Sequence, residues 1–254
     1  MTIIIFLILI NLILIYFLYR KEIKKFFIKK QIKEVNIEEV HEIFKTNETN
    51  KNFPSEDYIT KLFIVPNHFN VVGMTSDFEA WILSMLSKIS KNIFEFGTCS
   101  GKTTYLMALN SSNDTRINTL TLKLSEQVKK KSGESKTAYK NIFNESIYEK
   151  FMFTNTKEEE KINVHFVNSL EFDERNFKQK CDLIFIDGGH TYSIIKSDSD
   201  KAFKMVKKNG YIIWHDYVAG KRSSRDVFKY LNEINKNKKL FSIKGTSLVY
   251  FLNE

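Results

Sequence analysis

Proline and glycine are scarce in this chain: two prolines and nine glycines in 254 residues. That excludes collagen-like repeats and a flexible Gly/Pro-rich linker. Cysteine is scarcer than a stapled fold needs. The two present, Cys99 and Cys181, have no metal-type spacing and form no disulfide framework, which fits a reducing compartment. No internal repeat is found, which excludes a solenoid. Charge is missing from residues 2–19, where Asn11 is the one strongly polar side chain. As a helix rising ~1.5 Å per residue, this run would reach about 27 Å, close to the ~30 Å of a hydrocarbon core. A transmembrane anchor over 2–19 is therefore expected. A cleaved signal peptide fits less well, since no basic residue precedes the run and no small-x-small site follows it. A buried core helix of such uniform apolarity would be unusual.

Positive charge is concentrated immediately afterwards. Residues 20–33 hold seven basic residues and one acid, a net of +6 out of +9 for the chain, so the remainder carries only +3. The basic character is thus a juxtamembrane feature, suited to anionic lipid headgroups, and nucleic acid is not the expected partner of the folded domain. The same rule places the N-terminus outside and the bulk of the chain in the cytoplasm. Three parts follow: an anchor at 2–19, a basic and helical linker region at 20–74, and a domain at 75–254. Within the linker, Val35, Ile37, Val40, Ile43 and Phe44 suggest a short amphipathic helix over 34–46, and 46–54 reads as loop.

From residue 75 strands and helices alternate. Ser76-Asp-Phe-Glu79 is a capping box opening a helix. Strands are expected at 93–96, 116–122, 162–167, 182–186 and 210–214. Helices are expected at 103–110, in parts of 124–150, and at 191–208 and 223–235. Continuous apolar runs such as Leu183-Ile-Phe-Ile186 suit strands covered on both faces. Alternation of this kind predicts a doubly wound, mostly parallel α/β sheet. Around Gly245-Thr246, two further runs read as a terminal antiparallel hairpin. The stretch from about 125 to 161 is longer than a crossover needs, as lids and substrate walls often are.

Residues 92–104 read Asn-Ile-Phe-Glu-Phe-Gly-Thr-Cys-Ser-Gly-Lys-Thr-Thr. An apolar strand feeds a glycine turn and then a helix, whose first N–H groups face a ligand. A phosphate-binding P-loop needs four residues between its glycines before Lys-Ser/Thr; here there are three, which disfavours a nucleotide triphosphatase. Two later strands also end in chemistry-bearing residues. Asp182-Leu-Ile-Phe-Ile-Asp187 is followed by Gly188-Gly189-His190-Thr191-Tyr192, and Tyr211-Ile-Ile-Trp214 by His215-Asp216-Tyr217. Parallel neighbours would gather Asp187, His190, His215 and Asp216 at one sheet edge, where open α/β sheets bind ligands.

The spacing Glu95-x-Gly97-x-x-x-Gly101, with Phe-Ile-Asp-Gly-Gly-His-Thr-Tyr and Trp-His-Asp-Tyr, resembles a bacterial branch of the class I S-adenosylmethionine-dependent methyltransferases over roughly residues 75–253. Some members of that branch act near glycan or antibiotic chemistry. The resemblance implies a Rossmann-like, seven-stranded sheet. It implies that Glu95, Gly97, Thr98, Ser100 and Gly101 line the methionine side of the cofactor. Asn168-Ser169 would lie by the adenine, and Asp187 below the methyl group. Family members often carry an acid at the end of the second strand for the ribose hydroxyls; this chain has Thr121 there, a weaker acceptor, with Glu126 as a compensating candidate.

A hydroxyl acceptor must lose a proton, which suits histidine near neutral pH. His215, beside Asp216, and His190 are the candidate bases. Alternatively Asp187 and Asp216 hold a divalent cation such as Mg, as metal-dependent relatives do at these strand ends; a purely structural role for the histidines is the third possibility. The expected activity is O-methylation of a hydroxyl on a sugar, glycolipid or small molecule. The competing reading is a non-catalytic cofactor-binding or scaffold protein on the same fold.

Overall fold

The computed structural model describes residues 2–27, 30–45, 59–63, 75–123, 125–126 and 128–254. Eight strands and six α-helices are found among them: α1 (Thr2–Phe27), β1 (Lys33–Val35), α2 (Asp77–Lys88), β2 (Asn92–Phe96), α3 (Lys102–Asn110), β3 (Arg116–Thr121), α4 (Lys136–Glu145), β4 (Ile162–Phe166), β5 (Cys181–Ile186), α5 (Tyr192–Met205), β6 (Val206–Trp214), α6 (Arg225–Ile234), β7 (Phe241–Ile243) and β8 (Val249–Leu252). They form one sheet in the order β1-β7-β8-β6-β5-β2-β3-β4. Every pairing is parallel except those of β8 with β6 and β7. The parallel core and the terminal hairpin match the sequence expectation.

Two expectations need correction. First, the sheet has eight strands, not seven: Lys33–Val35 pairs with β7. Three residues beside a basic run carry too little alternation to be read as a strand; their pairing is set by the edge that β7 offers. Second, 34–46 is not an amphipathic helix. It is β1 followed by short 3-10 turns at Ile37–Glu39 and Glu42–Phe44. Val35, Val40 and Phe44 enter the core beside Ile82, Leu86 and Ile213, so this part of the supposed linker belongs to the domain. The loop expected at 46–54 lies outside the described residues. Among the described residues no helix is long and apolar enough to cross a membrane. The helix α1 does form, and its side chains from Ile5 to Tyr19 are exposed.

Two apolar layers sandwich the sheet. Phe94, Phe96, Ile184, Ile186 and Trp214 face one; Ile93, Leu183, Phe185 and Ile213 face the other with α2 and α3. Alternation along β2 and β5 feeds both layers, so these strands read as unbroken apolar runs. The helix α2 starts at the expected capping box, where Ser76 Oγ accepts from the Glu79 amide.

Candidate active site

Register decides the site. Phe96 pairs with Leu120 and with Ile186, and Ile186 with Trp214. The residues that follow, Gly97, Asp187 and His215, therefore leave the sheet side by side at its carboxyl edge. β3 and β4 lie to one side of β2, and β5 and β6 to the other, so the chain reverses direction between β2 and β5. That crevice is the usual ligand site of an open α/β sheet.

At Gly97 only glycine fits. Its φ is +106°, and a Cβ would overlap the Asp187 carbonyl oxygen and lie 2.7 Å from Gly188 Cα. Gly101, at φ +77°, is the first residue of the α3 cap, and a Cβ there would lie 2.8 Å from the Phe153 ring and 2.9 Å from Phe151. Both phenylalanines come from the long insertion after β3. The Met152 amide donates to the Ser100 carbonyl at 3.0 Å, so the insertion is fastened onto the glycine turn.

Glu95 is placed differently from its neighbours in the motif. It is fully buried and lines neither cavity of the cleft. Its carboxylate accepts from Thr103 Oγ1 at 2.6 Å, from Thr119 Oγ1 at 2.6 Å and from Thr104 Oγ1. Burial pushes its pKa up to about 7, against the pull of those three hydroxyls. Glu95 thus ties α3 and β3 to the turn, and does not line the cleft. Thr119 Oγ1 also meets Thr98 Oγ1 at 2.7 Å, which fixes the turn further.

The cleft has two connected chambers. One is lined by Thr98, Thr121, Asn168, Ser169, Asp187 and Asp198, among others. The second is lined by Ser100, Lys102, Asn141, His190, His215 and Asp216, among others. Gly97, Thr98, Cys99, Glu145 and Asp187 border both. The fold therefore brings Gly97, Thr98, Ser100, Thr121, Asn168, Ser169, Asp187, His190, His215 and Asp216 to one cleft; Gly101 supports the turn behind it. Glu126, considered as a replacement for the missing ribose acid, does not line it.

Charge in the second chamber is tightly paired. His215 Nδ1 lies 3.0 Å from Asp187 Oδ1, and its Nε2 lies 3.5 Å from Glu79 Oε2. Burial alone would lower the His215 pKa, but Asp187 and Glu79 outweigh it and hold it well above the ordinary value. Carboxylates at both ring nitrogens favour the protonated ring, so a role as a charged strut stands beside the expectation that His215 is the general base. Glu79, read in the sequence as a capping residue, also accepts from the Ser247 amide at 2.7 Å and Ser247 Oγ at 2.8 Å. It therefore links α2 to the terminal hairpin.

His190 lies 3.5 Å from Asp187 through Nε2 and 3.3 Å from Asp216 through Nδ1. Burial opposes its protonation, yet Asp187 and Asp216 raise its pKa. One donor atom each from Asp187, His190 and Asp216 lies within 4.8 Å of the others. Two hard carboxylate oxygens and an imidazole nitrogen converging from two loops fit a divalent cation, which would displace the proton from His190. Asp216 is held at φ +65°, a left-handed conformation rare for a residue with a side chain. Its amide donates to Ser247 Oγ at 3.3 Å, and Lys221 Nζ lies 2.8 Å from its carboxylate. Such strain at a cleft marks a residue whose direction matters.

Three residues escaped the sequence reading. Glu145, at the end of α4, borders both chambers, and burial pushes its pKa up to about 7. It belongs to no motif, so no local signal announced it. Lys221 lies on the loop after β6. Asp198 sits on the buried face of α5 with Ile194, Ile195, Ala202 and Met205; an acid on an apolar stripe was the available clue.

The arrangement agrees with what this chain resembles. Residues 94–217 match a family model described as a methyltransferase domain. Three crystal structures share the fold, each with a TM-score of 0.50. They are the O-methyltransferase TomG from Streptomyces achromogenes (12% identity, 71% of this chain and 82% of that one), an O-methyltransferase from Bacillus cereus (18%, 74% and 84%), and a putative caffeoyl-CoA O-methyltransferase from Staphylococcus aureus (18%, 72% and 86%). No match is found among curated protein sequences. With its glycine turn and strand-end acids at the switch point of a mostly parallel sheet that ends in an antiparallel hairpin, the stretch 94–217 matches a methyltransferase domain and has the fold of the O-methyltransferases it resembles.

Proposed function

We propose that this chain transfers a methyl group from S-adenosylmethionine to a hydroxyl oxygen of a small-molecule or glycan acceptor. The observation that carries the reading is the two-chamber cleft joined at Gly97 and Asp187. One chamber suits a cofactor, the other an acceptor, and the reacting atoms would meet at the border. The Bacillus cereus neighbour is described in complex with S-adenosylhomocysteine, and the TomG enzyme with S-adenosylmethionine.

The residues fit the cofactor. Gly97 lets the turn pass directly against the Asp187–Gly188 backbone, where a side chain would not fit. Thr98, Thr121, Asn168 and Ser169 supply polar edges to the first chamber. Bound there, the cofactor supplies an electrophilic methyl group on a sulfonium. The chain must bring the acceptor oxygen in line and lower its proton affinity. In the second chamber Asp187, His190 and Asp216 would hold a divalent cation able to acidify the acceptor hydroxyl. Glu145 borders that space as the carboxylate within reach of the released proton. His215, fixed by Glu79, keeps Asp187 ionised and aimed.

The full chain, incubated with methyl-labelled S-adenosylmethionine and a small-molecule and lipid extract of bacterial cells, should transfer label in a base-stable ether linkage. A chelator should abolish the transfer and added Mg restore it. Base-labile label, or transfer indifferent to chelator, would overturn the hydroxyl or the cation part respectively.

The exposed apolar side chains of Ile5 to Tyr19, followed by the basic run 20–33, support attachment to a membrane with the domain on the cytoplasmic side. A tag fused after Glu254 should fractionate with membranes and resist protease added to intact cells. A soluble or cleaved tag contradicts this.

A further inference from the structure

Asp198 is 1% exposed, and both of its carboxylate oxygens lack a hydrogen-bond partner. It nonetheless lines the first chamber, near Gly188: a Cβ built on that glycine would lie 3.4 Å from Asp198 Oδ2. Buried polar groups are ordinarily hydrogen-bonded, so an acid placed here without a partner calls for a ligand donor. Burial pushes its carboxyl up to about 7; the Ser169 hydroxyl and Lys201 offset part of that without completing a hydrogen bond.

The rest of this chamber says what kind of donor it meets. Leu120, Leu122, Val128, Ile142 and Ile194 form apolar walls, and Asn168 and Ser169 stand beside Asp198. Apolar walls with a few polar groups match an aromatic heterocycle that carries a hydrogen-bonding edge. Asn168 Oδ1 is already engaged by the Leu170 amide at 3.1 Å, whereas neither Asp198 oxygen has a partner in hydrogen-bond geometry.

Resting on the methyltransferase reading above, we infer that Asp198 accepts a hydrogen bond from the exocyclic amine of the cofactor's adenine and makes this chamber selective for a 6-amino purine. The acid stands on α5, after the Asp187 strand, and not at the end of β3, where Thr121 lies. An ionised carboxylate here rejects a 6-oxo purine, whose carbonyl oxygen would face the Asp198 oxygens, so the comparison below is made above about pH 8.

Calorimetric titration of the full chain with S-adenosylhomocysteine and with S-inosylhomocysteine tests this. The wild type should bind the adenosyl form at least ~10-fold more tightly, the discrimination expected when a built polar site loses its partner. In Asp198→Asn the carboxamide can present either oxygen or nitrogen, so discrimination should fall to within about 3-fold while adenosyl binding persists. In Asp198→Leu adenosyl binding should weaken about 10-fold or more, with inosyl binding little changed. Equal wild-type affinity for the two ligands overturns the inference and leaves the methyltransferase reading standing; this comparison needs no variant to fold. Equal losses for both ligands in Asp198→Leu, or unchanged discrimination in Asp198→Asn, also overturn it, the carboxyl then serving structure or an internal water. A wild type that binds neither ligand overturns the methyltransferase reading itself.

Discussion

Gly97→Ala should destabilise the domain by about 3 kcal/mol or more and weaken S-adenosylhomocysteine binding at least ~100-fold. Two costs add. An alanine at φ +106° lies in a region L residues rarely visit, at roughly 1–3 kcal/mol. Its Cβ would also overlap the Asp187 carbonyl oxygen, a backbone atom that cannot swing aside. That carbonyl is fixed because Asp187 donates its amide to the Phe96 carbonyl at 2.9 Å. Relief would require β2 and β5 to separate at the crevice, which would move Asp187 and the turn together; hence binding should fall with stability. Gly133 is the internal control. Its φ is +82°, but a Cβ there meets nothing within 4 Å, so Gly133→Ala should cost only the backbone strain, about 1 kcal/mol. Urea denaturation of both variants checks the pair, and equal costs would show that close packing at Gly97 is irrelevant.

Asp187→Asn should reduce methyl transfer by a factor on the order of 10³ while the chain still folds. Asp187 borders both chambers and faces two imidazoles, His215 at 3.0 Å and His190 at 3.5 Å. Burial opposes its ionisation, but the two histidines hold its pKa below the usual carboxylate range. The amide keeps the volume and removes the charge. Three functions then fail together: the hydrogen bond that aims the group, one oxygen of the cation donor set, and the counter-charge to His215. Loss of one fixed charge-stabilising group at a reaction centre typically costs 10²–10³ in rate, and loss of a metal ligand adds to it. Removing one partner of a buried pair also costs about 3 kcal/mol, so the thermal midpoint should drop as well. Glu79→Gln is the comparison: it leaves Asp187 intact and alters the outer partner of His215 together with the bonds to Ser76 and Ser247. It should cost far less activity. Equal losses in the two variants would place the chemistry elsewhere in the cleft.

Much of this architecture was legible because strong local signals coincide with it. The buried strands β2, β5 and β6 are unbroken apolar runs, the glycine turn follows one of them, and the Ser76–Glu79 capping box marks α2. The positions that fell outside the reading are those set by partners distant in sequence. Strand β1 is three residues long and exists because β7 offers a parallel edge. Glu79 looks like a helix cap; only folding brings Ser247 and His215 to its carboxylate. His215 looked like a base because its sequence neighbour is Asp216. In the fold its ring nitrogens meet Asp187 and Glu79 instead, and those contacts favour the charged ring. Glu95 shows the same lesson from the other side. Its motif position suggested a ligand contact, but three threonines on α3 and β3 occupy the carboxylate.

The central claim is that a nucleoside sulfonium cofactor occupies the crevice between the Gly97 turn and Asp187, with its base toward Asn168 and Asp198. A crystal structure of the chain soaked with S-adenosylhomocysteine tests it most directly. The account predicts density running from the Gly97 turn past Asp187 to the apolar walls at Leu122 and Ile194, with the sulfur facing the chamber that holds His190 and Asp216. Ligand density at any other surface, or a crevice that stays free of it at saturating concentration, would contradict the account.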